Sequence, residues 1–395
     1  MSVLNRYRTT LTSFLAYFIM SGMLAPIGII SAPMAQEFGL SVTDVTAKFS
    51  WLTVGIFVGA VAALLVFNWC RIKTAMIALF GLLAISLLSL PFSGSIDAIG
   101  WRLGVVGVCC GIGLPAAALV IARTYAAEHR ASMLVITDGS FSVAGIVCAW
   151  VAVTLLALNV HWSGVYLFVA GIAVLVVLLA LFSSYPESTG ETAADPSPRA
   201  WPVSAWLCIA ALCTYTVAQN SILWWLPQHA QQQLGATADA GGALVGQFWS
   251  GMFAAQLFVA WWVLRIGVNR LLWLSAASTL LFSIPIWWVT DASWLWWLAA
   301  LWGFGNLGLL KVVLSYGSTF TAIASPRLVS SLLLGATTGT AISPWLSSHI
   351  VGLGDASYAL KFGSFTYLVM LGLLAAAVLL AKGRPAGEIA LNPQS

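Results

Sequence analysis

The chain is almost continuously apolar, and its one long polar interruption falls near the midpoint, at Glu187-Ser-Thr-Gly-Glu-Thr-Ala-Ala-Asp-Pro-Ser-Pro-Arg199. Charged residues are 7% of 395, and the mean hydropathy is +0.96. A soluble fold has no core large enough to hide that much apolar surface. A bilayer does, because each run of about 20 apolar residues can cross it as a helix. The apolar runs are too long for barrel strands and lack two-residue alternation, so the expected class is all-α membrane.

Hydropathy places twelve spans, near 10–34, 46–68, 75–93, 98–123, 132–158 and 163–184, then 203–227, 242–264, 271–289, 294–322, 329–350 and 357–381. The polar interruption divides them into two six-helix bundles, 1–185 and 203–383, joined by a cytoplasmic linker at 186–202 and followed by a cytoplasmic tail at 384–395. The first apolar run follows Arg6 and Arg8 and is too long for a signal-peptide core, so it is expected to stay as the first span. With both termini in the cytoplasm, Arg6, Arg8, Arg71, Lys73, Arg123, Arg130, Arg199, Arg265, Arg270, Arg327, Lys382 and Arg384 all fall inside, and only Lys48, Arg102 and Lys361 outside. That bias orients the chain in a cytoplasmic (inner) membrane. It also accounts for the net charge of +4 without a nucleic-acid partner.

The halves look duplicated. Phe38-Gly-Leu-Ser41 precedes span 2 and Leu234-Gly-Ala-Thr237 precedes span 8. Sixteen residues after each glycine come Gly55 and Gly251, then Phe57 and Phe253, all at an offset of 196. Glu128-His-Arg130 and Ser325-Pro-Arg327 repeat at 197. Parallel repeats of six helices are a transporter design.

Several motifs carry a resemblance: Ile136-Thr-Asp-Gly-Ser-Phe-Ser-Val-Ala-Gly145, Gln219 with Trp225-Leu-Pro227, Phe248-Trp249, and Ser325-Pro-Arg-Leu-Val329. On these the chain resembles the major facilitator superfamily, and within it the TsgA-type proteins grouped near the fucose–proton symporters. The resemblance implies two six-helix bundles related by a pseudo-twofold axis, a midplane solute site between them, and rocking between inward- and outward-open states. The superfamily's loop signature between spans 2 and 3 is reduced here to Arg71 and Lys73, while Arg265-Ile-Gly-Val-Asn-Arg270 keeps more of it. These four basic residues are the candidate cytoplasmic gate loops. The acids that fucose-type symporters are expected to carry in spans 1 and 4 are missing.

Ionisable groups inside a membrane are costly and default to functional candidates. Lys311, mid-span in helix 10, reads as a cation facing the cavity, or as a structurally paired lysine. Asp138 is the carboxylate inside span 5, a proton-coupling or gate residue. Gln219 and Asn220 in span 7 and Asn306 in span 10 are amides that need partners in hydrocarbon, either a solute or a neighbouring helix. Trp225 can line a solute site or simply pack. Gln247, Gln256, Thr337, Thr338 and Thr340 rank second; membrane threonines mostly bond back to their own helix. Asp97 near Arg102, and Asp44 four residues before Lys48, suggest interface pairs.

The six cysteines show no metal spacing, and no phosphate loop, HExxH or GxSxG occurs, so neither a metal, a cofactor nor an enzyme is expected. The expected function is secondary active transport of a small polar solute, sugar-like or an organic anion, with possible proton coupling, by a monomer in contact with lipid. A proton-driven efflux antiporter is the alternative, disfavoured because Val143-Ala-Gly-Ile-Val147 lacks the Gly-Pro pair expected of that class.

Overall fold

The computed structural model describes residues 2–185, 201–320 and 326–382, and among them every regular element is helical. Most of the expected linker, the tail, Glu128 and Arg130 as side chains, and Ser325 lie outside what is described. The N-terminal half comprises α1 (Val3–Leu24), α2 (Ile27–Phe38), α3 (Val42–Lys48), α4 (Ser50–Trp69), α5 (Ile72–Leu88), α6 (Ile96–Thr124), α7 (Ala127–Ala157) and α8 (Gly164–Leu181). The C-terminal half comprises α9 (Val203–Leu234), α10 (Ala238–Trp288), α11 (Ala292–Gly305), α12 (Leu309–Ser318), α13 (Pro326–Gly352) and α14 (Ala356–Lys382).

Several of these rods are pieces of one expected span, and each break has a local cause. α1 and α2 meet at a 50° bend at Ala25–Pro26, where proline removes a helix donor. α10 is two helices joined at Gly267, whose φ of 75° ends the first. α11 and α12 are separated by Leu307 and Gly308, both with positive φ. Nine described helices are long and apolar enough to cross a membrane, ten if the bent pair is one span. α5, with 17 residues, is shorter, and the Ser- and Thr-rich α13 is less apolar, so the expected count of twelve is not reached by that measure. Both nonetheless sit at positions of the hydropathy reading.

The duplication is visible in atomic detail. Gly39 and Gly235 end α2 and α9 in the left-handed region, with φ of 62° and 66°. Two residues on, Ser41 and Thr237 cap the next helices by accepting from Asp44 N and Ala240 N at 3.1 and 3.3 Å. Farther in, α4 and α6 touch backbone to backbone. A Cβ at Gly55 would lie 2.3 Å from Gly104 O, and one at Gly107 would lie 2.1 Å from Leu52 O. In the second half Gly251 faces Ala300 O at 2.0 Å and Gly303 faces Phe248 O at 2.0 Å. All four residues of the second crossing stand 196 positions after those of the first. Small residues at such crossings let membrane helices associate by close packing.

The halves meet along a seam formed by α4 against α13, α7 against α10 and α2 against α9. Thr53 Oγ1 donates to Ala341 O at 3.0 Å, and the Trp249 ring packs on Gly145. These two contacts exchange under the 196-residue repeat, as a twofold axis requires. Gly28 meets its own repeat mate, lying 2.3 Å (from a Cβ built there) from Trp224 O, and Trp224 Nε1 donates to Leu24 O at 3.2 Å. All these close approaches lie toward the end remote from the chain termini.

Interface pairing differs from the local reading. Lys48 bridges to Asp97 of α6 at 2.5 Å, Asp44 is held by Ser41 within its own helix start, and Arg102 donates to Ser93. Sequence neighbours suggested different partners because helix packing brings the starts of α3–α4 and α6 side by side.

Candidate functional site

The polar groups that interrupt the apolar helices collect in the seam. Asp138 projects from α7 and Lys311 from α12, and Lys311 Nζ makes an ion pair with Asp138 Oδ2. The two side chains are 32% and 38% exposed. Since they face each other between the halves, that exposure is a crevice, not a lipid-facing surface. Toward the end remote from the termini the halves touch through the Gly28, Thr53 and Gly145 contacts, beside a pocket lined by residues such as Ile29, Glu37, Val153 and Asp239.

A second polar group sits deeper, on the C-terminal wall. Tyr215 and Gln219 occupy successive turns of α9 and so share a face. The Tyr215 hydroxyl contacts Gln219 Oε1 and lies 2.8 Å from Asn306 Oδ1, and Asn306 Nδ2 donates to Gln219 Oε1 at 3.2 Å. Asn306 is fully buried and Gln219 half-buried. Asn306 and Lys311 flank the break between α11 and α12. The φ of 44° at Leu307 is rare for a branched side chain and marks local strain. The Gly305 carbonyl left free by the break accepts from Ser278 and from Thr279, the latter at 3.3 Å. Interrupted helices of this kind carry polar groups into the midplane of transporters.

Of the residues singled out in the sequence, Asp138 with Lys311, and Gln219 with Asn306, are brought together. Asn220, next to Gln219 in sequence, is buried, and its side chain makes no hydrogen bond among the described residues. Trp225 lies inside the C-terminal half, 2% exposed, with its N–H donated to Ser347 Oγ at 3.0 Å. Thr337, Thr338 and Thr340 bond to carbonyls of their own helix. Among the loop cations, Lys73 donates to Leu181 O at 2.8 Å, so it caps the C-terminus of α8, where a cation complements the helix dipole. Arg71 precedes α5 in the exposed turn, and Arg265 and Arg270 flank Gly267 at the surface. Tyr215 escaped the sequence reading. Its signal was its spacing of four from Gln219, one turn away on the same helix.

The closed end supplies a prediction. Gly28→Leu should wedge the seam at Trp224 and open the end remote from the termini. The readout is labelling of a Thr53→Cys reporter, buried against Ala341 in that seam, by a membrane-impermeant thiol reagent. Faster labelling in the Gly28→Leu background than in the reporter alone is expected; an unchanged rate would mean that the contact does not hold this end shut.

The Major Facilitator Superfamily model matches residues 10–325. Similar proteins include a TsgA homolog of Erwinia tasmaniensis, 30% identical over 378 residues and covering 93% of this chain and 94% of that one. The TsgA protein of Escherichia coli is 27% identical over 374 residues, covering 93% of each. Among solved structures, the nucleoside transporter NupG aligns with a TM-score of 0.72 at 13% identity, over 94% of this chain and 99% of that one. A POT peptide transporter aligns at 0.76 and 14% identity, over 95% of each. At such identity these structural likenesses establish the fold.

Proposed function

The chain belongs to the Major Facilitator Superfamily of membrane solute transporters, and from that premise we propose that it is a secondary active transporter that moves a small organic anion together with a proton. One observation carries the reading: a cation and a carboxylate, Lys311 and Asp138, are paired across the seam. An anion that takes Lys311 strands Asp138 as an unpaired carboxylate in a poorly solvated place, which is strongly unfavourable. A proton on Asp138 removes that cost, because neutralising a carboxylate abolishes its need for a counter-charge. Anion and proton therefore bind best together, and the crevice stays neutral with or without cargo. The pair also ties one half to the other, so exchanging it for cargo and proton is the step that frees the halves to rock.

Asp138→Asn is the test. In proteoliposomes the variant is expected to keep solute counterflow while losing the acceleration by an imposed pH gradient. Gradient-driven uptake at the native rate would remove Asp138 from coupling, and loss of counterflow with intact folding would make it a solute ligand.

A further inference from the structure

At the end remote from the termini, beside the seam contacts, the halves enclose a cavity of about 420 Å³. That size falls in the range of small-molecule pockets, about 300–1,000 Å³. Both halves wall it. The N-terminal half contributes α2, with Pro33 and Glu37, and the last turns of α7, with Val153 and Leu156. The C-terminal half contributes Gln231 near the end of α9, and Asp239 and Gly242 in the first turns of α10. The walls meet closely: a Cβ at Gly242 would lie 2.7 Å from Val153 Cγ2 and 3.3 Å from Ile29 Cγ2. Parting the halves at this end therefore takes the cavity apart.

The charge of the lining is one-sided. Glu37 comes from one half and Asp239 from the other, and among the described residues no lysine or arginine lines the cavity. Glu37 is held in place, because its Oε2 accepts from the Trp162 indole and lies 2.9 Å from His161 Nε2. His161 is steadied in turn by Ser163 Oγ, 2.8 Å from Nδ1. The other Glu37 oxygen makes no hydrogen bond with a described residue, and Asp239 makes neither a hydrogen bond nor an ion pair with one. Two carboxylates on facing walls repel, and a cation between them replaces that repulsion by two attractions. The remaining wall of Ile29, Pro33, Val153 and Leu156 is apolar and suits an organic body. No three His, Cys, Asp or Glu side chains among the described residues are arranged to hold a metal ion, so a bare divalent cation lacks ligands here.

The duplication provides an internal control for whether the fold needs these acids. Glu37 stands two residues before Gly39, and its repeat mate Gln233 stands two before Gly235. Asp239 stands four after Gly235, and its mate Thr43 four after Gly39. Neither mate is charged, yet the same glycine-ended helices and the same caps are built in both halves. The two carboxylates are thus an addition to the fold.

We propose that this cavity binds an organic cation, with its charged nitrogen between Glu37 and Asp239 and its apolar body against α2 and α7, and that the occupant holds this end of the seam shut. The sign of the charge separates this ligand from the cargo. The anion proposed for Lys311 is repelled here, so the occupant regulates the movement of the halves and is not a solute in transit. Only its effect on transport rests on the function proposed above.

Binding of benzyltrimethylammonium, whose charge is fixed and whose ring supplies the apolar body, is measured by calorimetry on the purified full chain at about pH 8, above the ordinary titration range of imidazole. Benzyl alcohol supplies the ring without the charge, and magnesium the charge without the ring. The ammonium is expected to bind about 10-fold or more tighter than either, and less tightly as salt is raised. Glu37→Gln and Asp239→Asn keep the size of each side chain, and the new amide oxygen still accepts from Trp162. Each should weaken binding about 3- to 5-fold, as part-exposed ion pairs do, and together about 10-fold or more. The Thr53→Cys reporter supplies the second readout. The ammonium should slow its labelling about 3-fold or more, and not when both acids are replaced, because a ligand of the closed arrangement shifts the halves toward it. No binding at about 10 mM, equal affinity for benzyl alcohol or magnesium, or affinity unchanged in the double variant overturns the proposal. Acid-dependent binding with unchanged labelling overturns the role in holding the halves together. None of these readouts involves Lys311 or cargo, so their failure leaves the anion reading standing, and its failure leaves them standing.

Discussion

Lys311→Ala should abolish concentrative uptake of the transported acid, lowering affinity by about 30-fold or more, and should do so without restoring function when Asp138 is also neutralised. A charged hydrogen bond to an anion in a poorly solvated crevice is worth about 2–5 kcal/mol when truncated. The lower part of that range applies here, since both side chains of the pair are about one-third exposed and water screens part of the charge. The single variant leaves Asp138 unpaired, so thermal stability should fall as well. Loss of a partner in a buried pair costs about 3–5 kcal/mol, and partial exposure brings this toward about 1–2 kcal/mol. Adding Asp138→Asn removes the stranded charge and should return the melting temperature most of the way to native. Counterflow, which Asp138→Asn alone retains, should stay absent in the double variant, because the cation that holds the cargo is still missing. That split between restored stability and unrestored counterflow, set against the counterflow that Asp138→Asn alone retains, distinguishes a lysine that binds cargo from one that only neutralises Asp138. If the double variant transports at the native rate, Lys311 is structural and the anion reading falls. Detergent-solubilised protein in a thermal-shift series, with uptake in proteoliposomes beside it, measures both quantities on the same preparations.

The sequence made each member of this pair legible but not the pairing. An ionisable residue inside an apolar run stands out whatever its partner, so Asp138 and Lys311 could be read one at a time. Their contact depends on how α7 and α12 face each other across the seam, and nothing local to either segment encodes that. The amides of Gln219 and Asn306 were legible for the same reason, while Tyr215 was hidden because a tyrosine in a membrane helix usually reads as packing. Trp225 shows the opposite effect. Among 20 tryptophans its neighbours gave no sign that Ser347, on another helix, would take its N–H. The repeat was the most informative pattern. The offset seen at Gly39 and Gly235 extends to helix caps, crossings and the seam itself, because a duplicated fold reuses its closest backbone contacts. The bends at Ala25 and Leu307 were less accessible. Proline and glycine mark where a helix can break, and only tertiary contacts such as Ser278 with the Gly305 carbonyl decide that it does.

Gly107→Leu and Gly303→Leu should each prevent accumulation of folded protein, and to a similar extent, because they are the same contact in two copies. At Gly107 a Cβ would sit 2.1 Å from Leu52 O and 2.9 Å from Ile56 N; at Gly303 it would sit 2.0 Å from Phe248 O and 3.0 Å from Met252 N. The obstacles are backbone atoms of a facing helix, which cannot turn aside as a side chain can. Separating the helices far enough to admit a leucine forfeits the close packing that drives helix association where no hydrophobic gain is available between lipid-bathed surfaces. The cost should exceed the ~1–3 kcal/mol of ordinary overpacking. Gly81→Leu is the control, since nothing lies within 4 Å of a Cβ built there, and its yield and melting temperature should match native. Fluorescence-detected size exclusion of tagged variants reads the outcome directly: a monodisperse peak for Gly81→Leu, and aggregated or absent protein for the other two. A tolerated Gly107→Leu beside a lethal Gly303→Leu would show that the first-half crossing can relax where the second cannot. The broken helix carrying Asn306 and Lys311 continues directly from the second crossing, so rigidity there fixes the site's polar wall.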